Sequence, residues 1–388
     1  MFQFMTSTRI VFGDGALSNS LSLINKFGYS ALLICGSNTE RITPILKYLS
    51  LQNMRYQQVS IQGEPYIAMV EELAASARLF RPDMVIAMGG GSVLDVGKAL
   101  AALIPNQGSV YDYAEVVGRN VPLQVKPLPF IAIPTTAGTG AEVTSNAVLR
   151  SAQERVKISM RSPDMLPDVA IVDPMLTYGL DKTLSGQGAM DAFCHLMEAY
   201  VCGQPNPITD MICEEGLRRL AGAIFPACEN DDRRARSDLS FAAMLGGMAV
   251  MNAKLGAAHG LASALGGKLD VPHSVITAEL APYVMQENIE AAKESGRSDI
   301  LNRYRHLASI ITGRHSATAE DGVLWVQRTL RRLTLPPLSR YGLCDSLFDE
   351  IAEDALRSTA IQGNPLPLNQ VRLIRILNHV YACAECYS

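Results

Sequence analysis

Residues 82–103, PDMVIAMGGGSVLDVGKALAAL, decide the fold. The apolar run 84–88 is typical of a buried strand, three glycines follow it directly, and the pattern over 93–103 predicts a helix. Glycines let the backbone approach an anion closely, and the N–H groups and dipole at a helix start favour a phosphate. The residues predicted to seat a pyrophosphate are Gly89, Gly90, Gly91 and Ser92. The alternative is a tight strand-to-helix turn that binds nothing. The spacing is neither that of the G-x-G-x-x-G fingerprint nor that of the P-loop.

The chain on either side of this stretch alternates between strand-like and helical patterns. Amphipathic stretches start at Pro44 and at Ile67, and the strand-like runs are 29–36, 55–63, 128–136, 142–149 and 168–174. Alternation of this kind predicts a parallel, doubly wound α/β sheet. From about residue 181 the patterns are long, helical and rich in Ala, Leu and Met. We therefore predict a Rossmann-like, dinucleotide-binding α/β domain over 1–180 and an all-α, metal-binding domain over 181–388, with the ligand between them.

A second glycine-rich turn follows the apolar run FIAI. Residues 134–140, PTTAGTG, offer hydroxyls and glycines at a strand end, where they bind ribose, phosphate or a carboxamide, or cap a helix. Two such loops in one α/β domain make a dinucleotide a better prediction than a single phosphate.

Four side chains in the second half form a candidate metal site. Asp191 and His195 are four apart in an evident helix, so they share one face. His259 ends the run NAKLGAAH, and His273 follows Pro272; a break at the glycines 266–267 is expected to bring both imidazoles round to the first pair. One carboxylate with three imidazoles suits Fe(II) or Zn(II), and the lack of thiolate argues against a structural zinc site. A capping or surface pair is the alternative for Asp191 and His195.

Composition excludes several function classes. The 388 residues carry a net charge of −4 without a basic run, which argues against nucleic-acid binding. No apolar stretch approaches the length of a spanning helix, and the eight scattered cysteines read as reduced thiols, so we expect a cytoplasmic protein without a membrane partner. The lone Cys383-x-x-Cys386 pair is only a weak indication of zinc.

With these residues in hand, the chain resembles the iron-containing (group III) alcohol dehydrogenases over nearly its whole length. The resemblance implies an N-terminal dinucleotide-binding domain and a C-terminal helical metal domain, in the dehydroquinate synthase-like architecture. Each matching piece is weak alone, but together they are specific. The pieces are RIVFGDGAL, GGGSVLDVGKA, PTTAGTGAEVT, LPDVAIVDP, MDAFCHLMEAY and HGLASALGGKLDVPH.

The resemblance also implies roles for individual residues. The family's four metal-ligand positions fall on Asp191, His195, His259 and His273, which are also the predicted catalytic residues. The positions implied to hold the cofactor are Gly91, Ser92 and Asp95 at the pyrophosphate, Thr135, Thr136 and Thr144 along the nucleotide, and Lys157 at the ribose. The implied reaction is hydride transfer between a small metal-bound alcohol or aldehyde and C4 of the nicotinamide of NAD or NADP. We expect a homo-oligomer, with a dimer as the commonest default.

Two positions depart from the family pattern. Ser263 stands where many members carry a histidine that is thought to relay the alcohol proton, which puts that relay in doubt. Gly36 ends the first Rossmann-like strand, where NAD-preferring relatives often carry an acidic residue. Without that carboxylate a 2′-phosphate is not repelled, and Ser37, Asn38 or Arg41 could hold it, so NADP is admissible beside NAD.

Three alternatives to the dehydrogenase stay open at this stage. A metal-independent reductase of the maleylacetate type lies inside the family. A sugar-phosphate cyclase related to dehydroquinate synthase would need further basic residues near the metal, where Lys254 and Lys268 are the only ones around His259. A nucleotide-sensing protein with a vestigial metal site is the non-enzymatic alternative, and the full set of candidate ligands argues against it.

Overall fold

The computed structural model describes residues 1–7, 9–115 and 117–385, with side-chain surroundings up to residue 382. It divides the chain into two compact units. One unit is Met5–Tyr178, and the other contains Met1–Phe4 with the chain from Gly179 onward. Cys386 lies outside the described residues, so the candidate zinc pair with Cys383 is not tested.

The first unit is built on a parallel six-stranded sheet. The strands of this unit are β1 Arg9–Phe12, β2 Ser30–Cys35, β3 Arg55–Ser60, β4 Met84–Gly89, β5 Phe130–Pro134, β6 Asn146–Ser151, β7 Val156–Arg161 and β8 Val169–Val172. Those of the sheet lie in the order β1-β8-β5-β4-β2-β3, and every neighbouring pair is parallel. Together with the helices that follow β1 to β4, this order confirms the predicted doubly wound α/β fold.

Helices cover both faces of this sheet because successive side chains of a strand point to opposite sides. Leu32 and Ile34 of β2 belong to the apolar cluster of the third and fourth helices, whereas Ala31 and Leu33 belong to that of the first and second. Both faces are therefore apolar, and β2 and β4 are buried along their whole length. The helices are α1 Ala16–Ser20, α2 Thr43–Leu51, α3 Ile67–Phe80, α4 Gly91–Leu103 and α5 Val110–Tyr113.

The run 142–149 was expected to form one strand, but the structure divides it. Residues Ala141–Val143 form a 3-10 turn, and β6 begins at Asn146 and pairs antiparallel with β7 outside the main sheet. The four residues between β6 and β7 are too few for a crossover to a parallel strand, so the two form a hairpin.

The second unit is all-helical in its regular structure. Its core includes apolar side chains of the ninth, tenth, thirteenth and fourteenth helices. The helices are α6 Lys182–Val201, α7 Pro207–Asn230, α8 Arg233–Asn252, α9 Ala257–Lys268, α10 His273–Glu294, α11 Ser298–Thr312, α12 Ala319–Leu333, α13 Phe348–Arg357 and α14 Gln370–Glu385.

The break expected at the glycines 266–267 is wrong. Both glycines lie buried inside α9, which continues to Lys268, and the chain leaves helical structure at 253–256 and again at 269–272 instead. Pro272 precedes the first residue of α10, as a residue without an N–H group suits a helix start.

In the part of the chain that the structure describes, no single helix has both the length and the apolarity to cross a membrane. The bent pair α8 and α9, with 96° between the two helices, passes the same test by length and composition only.

Candidate metal centre and nucleotide-binding loops

Helix α6 carries the first two candidate ligands in a buried environment. Asp181 caps the helix by accepting a 2.9 Å hydrogen bond from the N–H of Leu184. Ten residues further on, Asp191 and His195 point from one face, and both are buried. Of the alternative interpretation, a capping or surface pair, the burial contradicts the surface pair.

His259, near the start of α9, completes a buried group of three. One ligand atom from each of Asp191, His195 and His259 lies within 4.8 Å of the others. The rings of His195 and His259 are stacked, with centroids 4.8 Å apart. This separation lets a single cation contact all three side chains.

In both Asp191 and His259 one side-chain atom has a hydrogen-bond partner, and a second atom has none among the described residues. The Thr277 hydroxyl donates to Oδ1 of Asp191 at 2.9 Å, and Nδ1 of His259 is 2.6 Å from Oε2 of Glu198. Oδ2 of Asp191 and Nε2 of His259 are buried and have no hydrogen-bond partner among the described residues. Because a buried polar atom is costly unless it is bonded, this arrangement fits a divalent cation with oxygen and nitrogen ligands.

His273 lies beside the group of three but outside it. It is the first residue of α10, it is half-buried, and its ring centroid is 5.4 Å from that of His259. The structure therefore brings three of the four predicted ligands together and places the fourth next to them.

Electrostatics at the centre favour an ionised aspartate. Burial alone would raise the pKa of Asp191, but the imidazoles of His195, His273 and His259 and the Thr277 hydroxyl outweigh it and lower that pKa. A carboxylate that stays ionised when buried is a strong ligand for a cation.

Several of the predicted nucleotide residues lie at the carboxyl edge of the sheet in the first unit, whereas Lys157 lies on the separate β6–β7 hairpin. Gly36 follows β2, Gly89 ends β4, and Thr135 and Thr136 follow β5, which are three neighbouring parallel strands. In the sheet, β3 lies on one side of β2 and β4 lies on the other. The direction in which successive strands are added therefore reverses between β2 and β4. Open α/β sheets bind ligands at such a switch point.

The two glycine-rich loops pack against each other at this edge. The N–H of Thr135 donates to the carbonyl of Gly89 at 2.9 Å. A Cβ on Gly89 would lie 2.5 Å from Cβ of Val93, and one on Gly91 would lie 2.7 Å from Cγ2 of Thr139. Gly90 is the N-cap of α4, and no described side chain caps that helix. The first turn of α4 is therefore open to an anion.

Three of the predicted cofactor residues, Asp95, Thr144 and Lys157, contact a charged side chain of the same unit. Lys98, which is fully buried, forms an ion pair of 3.0 Å with Asp95 and donates to the Thr144 hydroxyl at 2.9 Å. Burial lowers the pKa of Lys98 although Asp95 opposes it. Lys157 of β7 forms an ion pair of 2.5 Å with Glu64, which follows β3. Lys98 thus joins α4 to the segment before β6.

At the end of β2, several polar groups that could bind a 2′-phosphate already form hydrogen bonds within the protein. The Ser60 hydroxyl donates to the carbonyl of Gly36, and Asn38 accepts from the N–H of Glu40. Arg41 donates through Nη1 to the carbonyl of Leu176 at 2.9 Å. Ser37 and Asn38 are exposed beside them.

Glu198, Thr277 and Lys98 contact predicted site residues, but no sequence motif predicted them. A signal for Glu198 existed, since it stands seven residues after Asp191 in the same helix and so returns to the same face after two turns. Lys98 stands one turn after Asp95 in α4, a spacing that permits an ion pair. Thr277 is one turn after His273, but nothing local indicates that it reaches Asp191.

Comparison with known proteins decides the family. A sequence profile described as "Iron-containing alcohol dehydrogenase" matches residues 7–174, and one described as "Fe-containing alcohol dehydrogenase family, C-terminal" matches residues 186–381. The chain belongs to the iron-containing alcohol dehydrogenase family. This confirms the family that the sequence motifs resemble and the enzyme class, an oxidoreductase of the iron- and NAD(P)-dependent alcohol dehydrogenase type.

Individual relatives of the iron-containing alcohol dehydrogenase family span the whole chain. The 1,3-propanediol dehydrogenase of Citrobacter freundii is 32% identical over 98% of this chain and 99% of its own length. The NADPH-dependent butanol dehydrogenase of Clostridium saccharobutylicum is 29% identical over 99% of each chain. The solved structure of an iron-containing alcohol dehydrogenase from Thermococcus thioreducens is 27% identical, covers 98% of this chain and 100% of its own, and superimposes with a TM-score of 0.87.

Proposed function

We propose that the protein is a metal-dependent NAD(P)-linked dehydrogenase that interconverts a small alcohol and its aldehyde. One observation carries this proposal: Asp191, His195 and His259 direct buried donor atoms to within 4.8 Å of one another. In two of these residues a buried atom, Oδ2 of Asp191 and Nε2 of His259, has no hydrogen-bond partner among the described residues. The same observation favours a metal-dependent enzyme over the maleylacetate-type reductase and over a protein with a vestigial site.

Different sets of residues would hold the metal and the dinucleotide. Asp191, His195 and His259, with His273 beside them, would hold Fe(II) or Zn(II). The first turn of α4 from Gly90, with Thr135 at the end of β5, would hold the dinucleotide. When bound, such a cation supplies Lewis-acid chemistry, and the nicotinamide supplies the hydride donor or acceptor.

Ser263 lies on α9 one turn after His259 and is half-buried. A hydroxyl at this place could pass a proton only to a water or a ribose hydroxyl beside it. We therefore propose that the proton leaves through such a neighbour and not through Ser263 alone.

The test is a panel of alcohols and aldehydes with NADH and NADPH, run on protein reconstituted separately with Fe(II) and Zn(II). We expect aldehyde reduction that a chelator abolishes and that added metal restores. His259→Ala is expected to lose this activity, while His306→Ala, which changes an exposed imidazole, keeps it. Turnover by His259→Ala at the parental rate with metal present would remove the metal from the reaction and favour the maleylacetate-type alternative.

Two finer points complete the proposal. The six cysteines whose side chains the structure describes are all free thiols, which supports a reducing compartment, and we propose that the enzyme is cytosolic. We also propose a homodimer, the commonest closed assembly, which light scattering after size exclusion would check.

A further inference from the structure

The carboxylate of Glu198 is a buried junction between α6 and the start of α9. It is 2% exposed and accepts hydrogen bonds from the N–H groups of Gly256 at 2.9 Å and Ala258 at 2.7 Å. Its Oε2 is also 2.6 Å from Nδ1 of His259. One side chain therefore contacts both the first turn of a helix and a candidate metal ligand on that turn.

The first turn of α9 depends on side chains from distant parts of the chain. Its N-cap, Gly256, has no capping side chain of its own, and a Cβ there would lie 2.9 Å from Oε1 of Glu198. The N–H of Ala257 donates to Oδ1 of Asn364 at 3.2 Å, so Glu198 and Asn364 share the capping of this helix. Of these two side chains, Glu198 alone is also bonded to His259.

The bond to Glu198 fixes which nitrogen of His259 is available. A neutral imidazole has one N–H, and a carboxylate can only accept, so the proton belongs on Nδ1. The lone pair is then on Nε2, the buried atom that has no partner among the described residues. Glu198 thus leaves Nε2 as the free ligand atom of His259, a residue that lies in one group with Asp191 and His195.

Charge balance supports the same role. A divalent cation in a buried site needs compensating negative charge, and Asp191, as a ligand, would supply one unit. Glu198 would supply a second unit through the imidazole of His259.

We propose that Glu198 is a positioning residue for the metal, which sets the tautomer of His259 and supplies the second compensating charge. This inference rests on the proposed function, because it concerns the same site. Removal of such an outer partner of a metal-bound histidine weakens metal binding by about 10- to 100-fold.

The first experiment compares the parent with Glu198→Gln and with Asn364→Ala. The second substitution removes a cap of α9, together with the bonds of Asn364 to Asn288 and Leu366, without a direct change at His259. Zn(II) affinity is measured by competition with a chromophoric chelator, and thermal unfolding of the metal-free protein is measured for all three proteins. We expect a 10- to 100-fold loss of affinity in Glu198→Gln and less than threefold in Asn364→Ala. Equal losses in both variants would reduce Glu198 to a helix cap, and unchanged affinity in Glu198→Gln would overturn the inference. If the parent binds no Zn(II), the proposed function fails instead.

A second readout separates ligand orientation from general stability. The visible spectrum of the Co(II)-substituted protein is expected to shift in Glu198→Gln, because the donor strength of His259 changes, and to stay unchanged in Asn364→Ala. An unshifted spectrum in Glu198→Gln contradicts the inference.

If Glu198→Gln does not fold, ¹⁵N-histidine correlation spectra of the Zn(II)-loaded parent decide the question, with His259→Ala to assign the signal. We expect a protonated Nδ1 and a metal-bound Nε2 at His259. Metal ligation through Nδ1 would refute the proposal.

Discussion

The substitution Gly90→Ala separates cofactor binding from folding, because Gly90 needs no glycine for the fold. Its backbone, with φ −76° and ψ −175°, is open to any L residue. A Cβ at this position would come no closer than 3.4 Å to Oγ1 of Thr136, which is an ordinary contact. By contrast, a Cβ on Gly91 would come within 2.7 Å of Cγ2 of Thr139.

The expected effect on stability is therefore small. Alanine is a poorer N-cap than glycine, which costs roughly 1 kcal/mol, while the lower entropy of the unfolded chain returns about 0.4–1 kcal/mol. The added methyl would stand between the first turn of α4 and Thr136, in the space predicted for the phosphates. Loss of one hydrogen bond to a charged group costs about 1.5–3 kcal/mol, or roughly 10- to 150-fold in Kd.

The assay is titration of the protein with NADH and NADPH by cofactor fluorescence, beside thermal unfolding of the same samples. Gly222→Ala is the control, since it adds the same methyl group to an open face of α7. We expect Gly90→Ala to keep its melting temperature and lose cofactor affinity. If it binds both cofactors as tightly as the parent, the first turn of α4 does not hold the phosphates.

Further predictions concern cofactor choice, packing and pH. Gly36→Asp should shift the ratio of kcat/KM values from NADPH toward NADH. The substitution has room, because its Cβ would be 3.9 Å from the nearest side chain. An unchanged ratio would contradict the assignment of this strand end. Gly97→Ala should destabilise the protein by about 1–2 kcal/mol in urea unfolding, because the methyl would lie 2.7 Å from atoms of β4 and β5, and that overpacking exceeds the gain in helix propensity. Gly222→Ala, on an open face of α7, should instead stabilise it by about 0.5–1 kcal/mol. Burial raises the pKa of Glu142 from 4.5 to about 7, so between these pH values the folded chain keeps a proton that the unfolded chain has lost. The free energy of unfolding should therefore fall by roughly 3 kcal/mol as the pH rises from 4.5 through 7. Glu142→Gln should remove this fall, and a parallel pH dependence of urea unfolding in both proteins would refute it.

Much of the fold could be predicted where the local pattern and the tertiary structure agree. The strand, glycine turn and helix of 82–103 became β4 and α4, because an apolar run and an amphipathic helix each carry their own signal. The four-residue β1 and the strand β7, which includes Lys157 and Arg161, carry no such signal. Likewise, two glycines normally indicate a break, but at 266–267 the burial of α9 overrides their low helix propensity.

The site divides in the same way. The spacing of Asp191 and His195 predicts one helical face, and the structure shows both side chains buried on it. In contrast, Glu198 looks like an ordinary helix charge in the sequence. Its role emerges only when Gly256 and His259 of another helix arrive beside it, which no local pattern records.

The unpartnered atoms of Asp191 and His259 relate the stability of the folded chain to the supply of metal. Each buried donor or acceptor without a partner costs about 1–3 kcal/mol, so the chain folded without its cation is closer to local opening of α6 and α9. A ligand that binds only the folded state adds stability in proportion to the logarithm of its concentration. In a cell starved of iron and zinc, proteases would therefore remove newly made chains faster than in a replete one, and abundance would follow metal supply without any change in gene expression.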